Sequence, residues 1–104
     1  MQPEIQAQVL LLRLKNQEKL NLPDVREPIK FSTFNISGKN IPLSKLPQAI
    51  NSLDYTKNKE IMVICKMGLR SKTGQQLLRQ QDFTNVRNLE GGLLALHKNP
   101  LNLF

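Results

Sequence analysis

The sequence predicts an α/β fold: a parallel sheet of about five strands with helices on both faces. Three observations carry that expectation. Short apolar runs of strand length alternate with stretches whose apolar residues recur at helical spacing. The most apolar run, residues 61–64, reads as a strand buried on both faces. It runs into a cysteine, a glycine-containing loop and a helical pattern, so strand, tight loop and helix start follow within a few residues.

Taken in order, Ile5 supplies a very short first strand. Residues 7–16 form an amphipathic helix with Val9, Leu10, Leu12 and Leu14 available to the core. Ala7 stands where a Ser or Thr would cap that helix, so its first turn is expected to fray. Residues 20–25 make the second strand, although Pro23 removes a ladder donor inside it. Asp24 and Arg26 fall at its C-terminal end, the edge on which open α/β sheets place ligands. Residues 28–34 form a helical turn anchored by Phe31 and Phe34. Residues 40–43 are the third strand. Ser44 is placed as N-cap of a helix carrying Leu46, Ala49, Ile50 and Leu53, with Pro47 in its first turn. A polar connection, residues 55–60, leads to the central strand. The helix after it presents Gly74, Leu77 and Leu78 on its apolar face, with Lys72, Gln75, Arg79 and Gln80 off that face. Residues 85–89 form the last strand, Gly91 and Gly92 a turn of the kind that needs positive φ, and His97 a solvated cap near the final helix.

Length and composition suit one domain over residues 1–104, with 39% hydrophobic residues to build its core. A single cysteine excludes an internal disulfide and fits a reducing compartment. The start, MQPEIQAQ, has no basic n-region, and the apolar patch at residues 9–12 is too short to span a membrane. The expected location is cytoplasmic, or a similar reducing space such as a plastid stroma, with no membrane partner. The net charge of +7 comes from Lys and Arg scattered along the chain, with no run of four and few aromatics. A field that draws small anions is expected rather than nucleic-acid binding. His97, the only histidine, has no partner at metal-ligand spacing, so no metal is expected, and no nucleotide-binding glycine loop is present.

The chemistry concentrates in CKMGLRS, residues 65–71. A lone cysteine is most often a buried core thiol. Here it stands between a strand and a helix start, where successive backbone N–H groups form a concavity for an anion. A sulfur so placed is favoured as thiolate, and Arg70 can present a forked guanidinium to anionic oxygens.

That run resembles the active-site loop C-x-x-G-x-R-S of the rhodanese-like sulfurtransferases. Other signatures follow in the family's order: DVREP at residues 24–28, a glycine then NIPL at 38–43, and FTNV then NLEGG at 83–92. Two departures are Asn35, where many relatives have histidine, and a segment one residue short between Gly38 and Asn40. The resemblance implies a rhodanese-like fold and sulfur transfer through a covalent persulfide on Cys65, with no other cofactor. Cys65 and Arg70 would be catalytic. Lys66, Met67, Gly68, Leu69 and Ser71 would bind substrate through backbone N–H groups, while Asp24 and Arg26 shape and charge the surroundings. The donor would be thiosulfate or a persulfide, and the acceptor cyanide, a thiol or a small sulfur-carrier protein. A narrower likeness is to the C-terminal domain of molybdopterin-synthase and thiamine-type adenylyltransferases, which makes an adenylyltransferase a further candidate partner. Two rivals stand beside this reading. A cysteine phosphatase would need five residues between cysteine and arginine, where this chain has four. A non-catalytic interaction module would have no use for the cysteine.

Overall fold

Central strand β4 (Ile61–Val63) has its side chains buried on both faces. Ile61, Val63 and Cys65 point into one core, and Met62 and Ile64 into the other. This is the period-two alternation of a strand between two helical layers. The computed structural model describes residues 3–102 and 104. Around β4 lie β1 (Glu4–Ile5), β2 (Pro23–Asp24), β3 (Lys39–Asn40) and β5 (Val86–Leu89). All pairings are parallel, and isolated bridges from Asn21 to Ile61 and from Asp24 to Ile64 join the two halves. The strand order is therefore β1-β5-β4-β2-β3. Helices α1 (Ala7–Lys15) and α5 (Gly92–Lys98) cover one face; α3 (Leu46–Ala49) and α4 (Arg70–Gln80) cover the other. The short α2 (Pro28–Thr33) buries no residue. Among the described residues no helix is long and apolar enough to cross a membrane.

The five strands and their helical layers match the sequence expectation, and several local details do not. In α1 the buried residues are Ala7, Leu10 and Leu11, with Leu14 partly covered, while Val9 and Leu12 are largely exposed. The inward stripe is the i, i+3, i+4, i+7 set that starts at Ala7, which leaves Val9 and Leu12 on its flanks. The cap position of α1 is Gln6 rather than Ala7, and no side chain caps the helix there. Phe31 is only half-buried and joins neither core. Phe34 packs against the edge of one core and lies 4.7 Å from the His97 ring.

Pro23 sits inside the sheet, where its carbonyl still accepts from Ile64 N at 2.9 Å. Asn21 O and Val25 N make the bonds on either side of it, so the lost donor does not detach β2. The third strand is shorter and earlier than residues 40–43. Ile41 N bonds Asp24 O, but the next donor, Leu43 N, bonds Val25 O and so slips out of the two-residue step of the ladder as Leu43–Lys45 turns into a 3₁₀ helix. Ser44 lies inside that turn and caps nothing, because α3 begins two residues later with no side-chain cap. The shortened loop before β3 is closed by Asn35, whose Oδ1 accepts from Ser37 N and whose Nδ2 donates to Phe31 O. Gln75, placed off the apolar face of α4, is buried and donates to the carbonyls of Pro3 and Val86.

The N-terminal end of β4 is held by charge. Glu60 receives two hydrogen bonds from Arg13, at 2.6 and 2.9 Å, and one from Arg87 at 3.1 Å. The Arg13 bonds, helped by those of Arg87, hold the Glu60 carboxyl below its ordinary range, and the same contacts raise Arg13.

Candidate active site

At its other end β4 delivers Cys65 into a loop that folds back over the cysteine's own sulfur. Gly68 N donates to Cys65 Sγ at 3.0 Å and Ser71 N at 3.4 Å. Ser71 Oγ is 3.1 Å from the same sulfur. The two amides come from the loop and from the first turn of α4, the places where backbone donors lack helical partners. Gly68 makes the turn with φ +87°, and an added Cβ would crowd the backbone of Leu89 and Gly91. Donors aimed at sulfur stabilise its anionic form.

The loop is braced from below. Leu93 N and Leu94 N, in the first turn of α5, donate to the carbonyls of Cys65 and Lys66 at 2.9 and 3.0 Å. Gly92 (φ +62°) lets the helix come that close, since a Cβ there would run into the carbonyl groups of Cys65 and Lys66. On the β5 side, buried Asn88 donates to Gly68 O at 3.1 Å, and its Oδ1 accepts from Ser71 Oγ. Asn88 has no role in the sequence expectation; the available signal is its place in the strand run VRNL, where alternation with the partly exposed Arg87 turns Asn88 inward.

The sequence-predicted residues separate into three groups. Cys65, Gly68 and Ser71 converge on one point. Cys65 is 3% exposed yet lines a cavity of about 620 Å³ between the loop, α2 and α5. Lys66, Met67, Leu69 and Arg70 also line the cavity with their side chains exposed. Among the described residues the amides of Lys66, Met67 and Leu69 donate to no protein acceptor, and the Arg70 guanidinium makes no protein hydrogen bond. Arg70 therefore does not brace the loop, a task that falls to Asn88 and α5. Asp24 and Arg26 form the third group. Arg26 grips both carboxylate oxygens of buried Asp24 at 2.7–3.1 Å and reaches Phe34 O. Asp24 is thereby enclosed away from the cavity, while Arg26 forms part of its wall. Around the mouth Ile29, Met67 and Leu69 are exposed by 72%, 54% and 68%. Among the described residues no three His, Cys, Asp or Glu side chains gather as a metal would require.

A cysteine in an amide nest at the C-terminal end of a central parallel strand defines a class of thiol site. Residues 7–99 match the rhodanese-like domain family, and the chain belongs to it. The chain is 33% identical over 92 residues to YrkF of Bacillus subtilis, covering 88% of the chain and 49% of that protein. It thus spans about half the length of that relative, and 58% of another. It is 35% identical over 80 residues to the adenylyltransferase and sulfurtransferase MOCS3-1 of Zea mays, covering 71% of the chain and 17% of that protein. The solved structure of the human single domain sulfurtransferase TSTD1 superposes with a TM-score of 0.79 at 27% identity, covering 95% of the chain and 99% of that structure.

Proposed function

We propose that this chain, acting as one domain in a reducing compartment, transfers a sulfane sulfur through a persulfide on Cys65. In the first half-reaction the Cys65 thiolate attacks the outer sulfur of thiosulfate or of a donor persulfide. A new S–S bond forms at Sγ, and the old one breaks with its electron pair leaving on sulfite or the donor thiolate. In the second half-reaction an acceptor nucleophile takes the outer sulfur, and the Sγ–S pair returns to Cys65 as thiolate. No oxidant, reductant or further cofactor enters. The observation that carries this reading is the convergence of Gly68 N, Ser71 N and Ser71 Oγ on Cys65 Sγ at the wall of an open cavity.

The other loop residues have roles in the same scheme. The open amides of Lys66, Met67 and Leu69 are available to the outer sulfur or to sulfite oxygens, as in an oxyanion hole. Arg70 adds an uncommitted fork for anionic oxygens and Lys66 a cation at the mouth. Asp24 acts at a distance, by fixing Arg26 in the wall. The acceptor is a protein, by our reading, because a mouth rimmed by Ile29, Met67 and Leu69 offers apolar contact that cyanide or sulfite cannot use. A small sulfur-carrier protein working with an adenylyltransferase fits, and the likeness to MOCS3-1 supports it.

The test is thiosulfate:cyanide sulfurtransferase activity in wild type and in Cys65→Ser. Thiocyanate production by wild type and none by the folded variant is expected. Equal production by both would remove Cys65 from the reaction, and release of phosphate from an aryl phosphate without sulfur transfer would favour the phosphatase rival.

A further inference from the structure

Ser71 has one hydroxyl proton and two acceptors in reach. One is Cys65 Sγ at 3.1 Å; the other is Asn88 Oδ1. Asn88 cannot turn to offer a donor instead, because its Nδ2 is committed to Gly68 O at 3.1 Å and a flip would set two oxygens face to face. Ser71 and Asn88 are fully buried, so a proton withheld from Asn88 Oδ1 is not replaced by water. With the Ser71 proton on Asn88, the contact between Oγ and Sγ is satisfied only if the thiol donates: Cys65 S–H to Ser71 Oγ, and Ser71 O–H to Asn88 Oδ1. When Cys65 loses its proton, the hydroxyl must rotate towards sulfur, and Asn88 Oδ1 loses its donor.

We propose that Asn88 is a positioning residue that draws the Ser71 hydroxyl proton away from Cys65 and so biases the resting site towards the protonated thiol. It acts through Ser71 and touches no reacting atom. The bias disappears once Sγ is bonded to sulfur, because that sulfur carries no proton and asks nothing of Ser71. The proposal rests on the reading of Cys65 as the nucleophile. Its test uses the thiol alone, so a failure of sulfur transfer leaves the test intact.

The experiment is the rate of Cys65 alkylation by iodoacetamide against pH, in the full chain. Asn88→Leu, close in size but without the acceptor, should be alkylated about tenfold faster than wild type near pH 6.5, the effect of one hydrogen bond returned to the thiolate. At pH 9.5 the two rates should converge. The charged groups around the cavity, Arg26, Glu27, Lys30, Lys66, Arg70 and His97, are the same in all variants. If Asn88→Leu fails to fold, Asn88→Ala takes its place. In a Ser71→Ala background the Asn88→Leu acceleration should vanish. Acceleration equal at both pH values, acceleration that survives Ser71→Ala, or no acceleration at all would each overturn the proposal, the first two by showing only a loosened loop.

Discussion

The two ends of β4 carry opposite kinds of polar chemistry, at Glu60 and at Cys65, only five residues apart in sequence across an apolar run. At the N-terminal end the charges are paired in a network: Glu60 is held by Arg13 and Arg87, and Arg13 also by Glu18. At the C-terminal end, among the described residues, the charges of Lys66 and Arg70 are uncommitted and three loop amides donate to no protein acceptor. The first arrangement spends its hydrogen bonds on the fold, apart from the buried Arg87 Nε, which has no partner among the described residues. The second leaves donors open around a sulfur that is already partly satisfied. Hydrogen-bond satisfaction, more than charge or burial, separates a structural cluster from a site on this molecule.

Substitutions at the two ends should therefore move different observables. The largest effect on rate belongs to Arg70→Ala. Loss of its charged hydrogen bonds to the donor's anionic oxygens should remove about 1.5–3 kcal/mol of transition-state stabilisation in steady-state sulfur transfer. The melting temperature should stay near that of wild type, because the exposed guanidinium makes no hydrogen bond or ion pair among the described residues. Arg70→Lys should recover little, since an ammonium lacks the fork. Gly92→Ala should blur the comparison by moving both observables. Its Cβ meets the carbonyls that α5 supports, at a φ of +62°, so a loss of about 2 kcal/mol in denaturant melts should accompany slower sulfur transfer. A normal rate in that variant would mean that the loop does not depend on α5.

Glu60→Gln should show the reverse of Arg70→Ala: unchanged transfer rate and a stability loss of about 1–2 kcal/mol at pH 7, kept modest because the pair is partly exposed. The pH dependence has a definite sign. Glu60 is held below its ordinary carboxylate range in the folded protein, so its contribution is present above the unfolded value, about 4.3, and is lost as pH falls through the folded value. Melts of wild type and Glu60→Gln at pH 7 and at pH 3 should differ at the first and converge towards the second. The smallest effect is expected from Lys66→Ala, an exposed cation at the mouth, with a rate change of about twofold or less in low salt that disappears in high salt.

The central strand, the nest and the family were legible because each rests on residues adjacent in sequence. The run at 61–64 and the cysteine loop state their own geometry. What the sequence hid depends on partners far along the chain. Asn88 is seventeen residues from Ser71, and Gln75 is buried only because Pro3 and Val86 bring carbonyls to it. In α1 two apolar stripes competed, and only docking against the sheet decided that Ala7 and Leu11 face inward while Val9 and Leu12 do not. Asp24 and Arg26 were expected to shape the site's surroundings, and their mutual grip leaves Arg26 alone at the cavity wall.

The persulfide itself is the most direct test of the account. The intact mass of the protein, measured after exposure to thiosulfate and removal of excess reagent, should rise by one sulfur atom. That atom should map to the peptide containing Cys65 and be discharged by cyanide, with the original mass restored. An unchanged mass, with the fold intact and sulfite absent from the medium, would contradict covalent sulfur transfer from thiosulfate at Cys65.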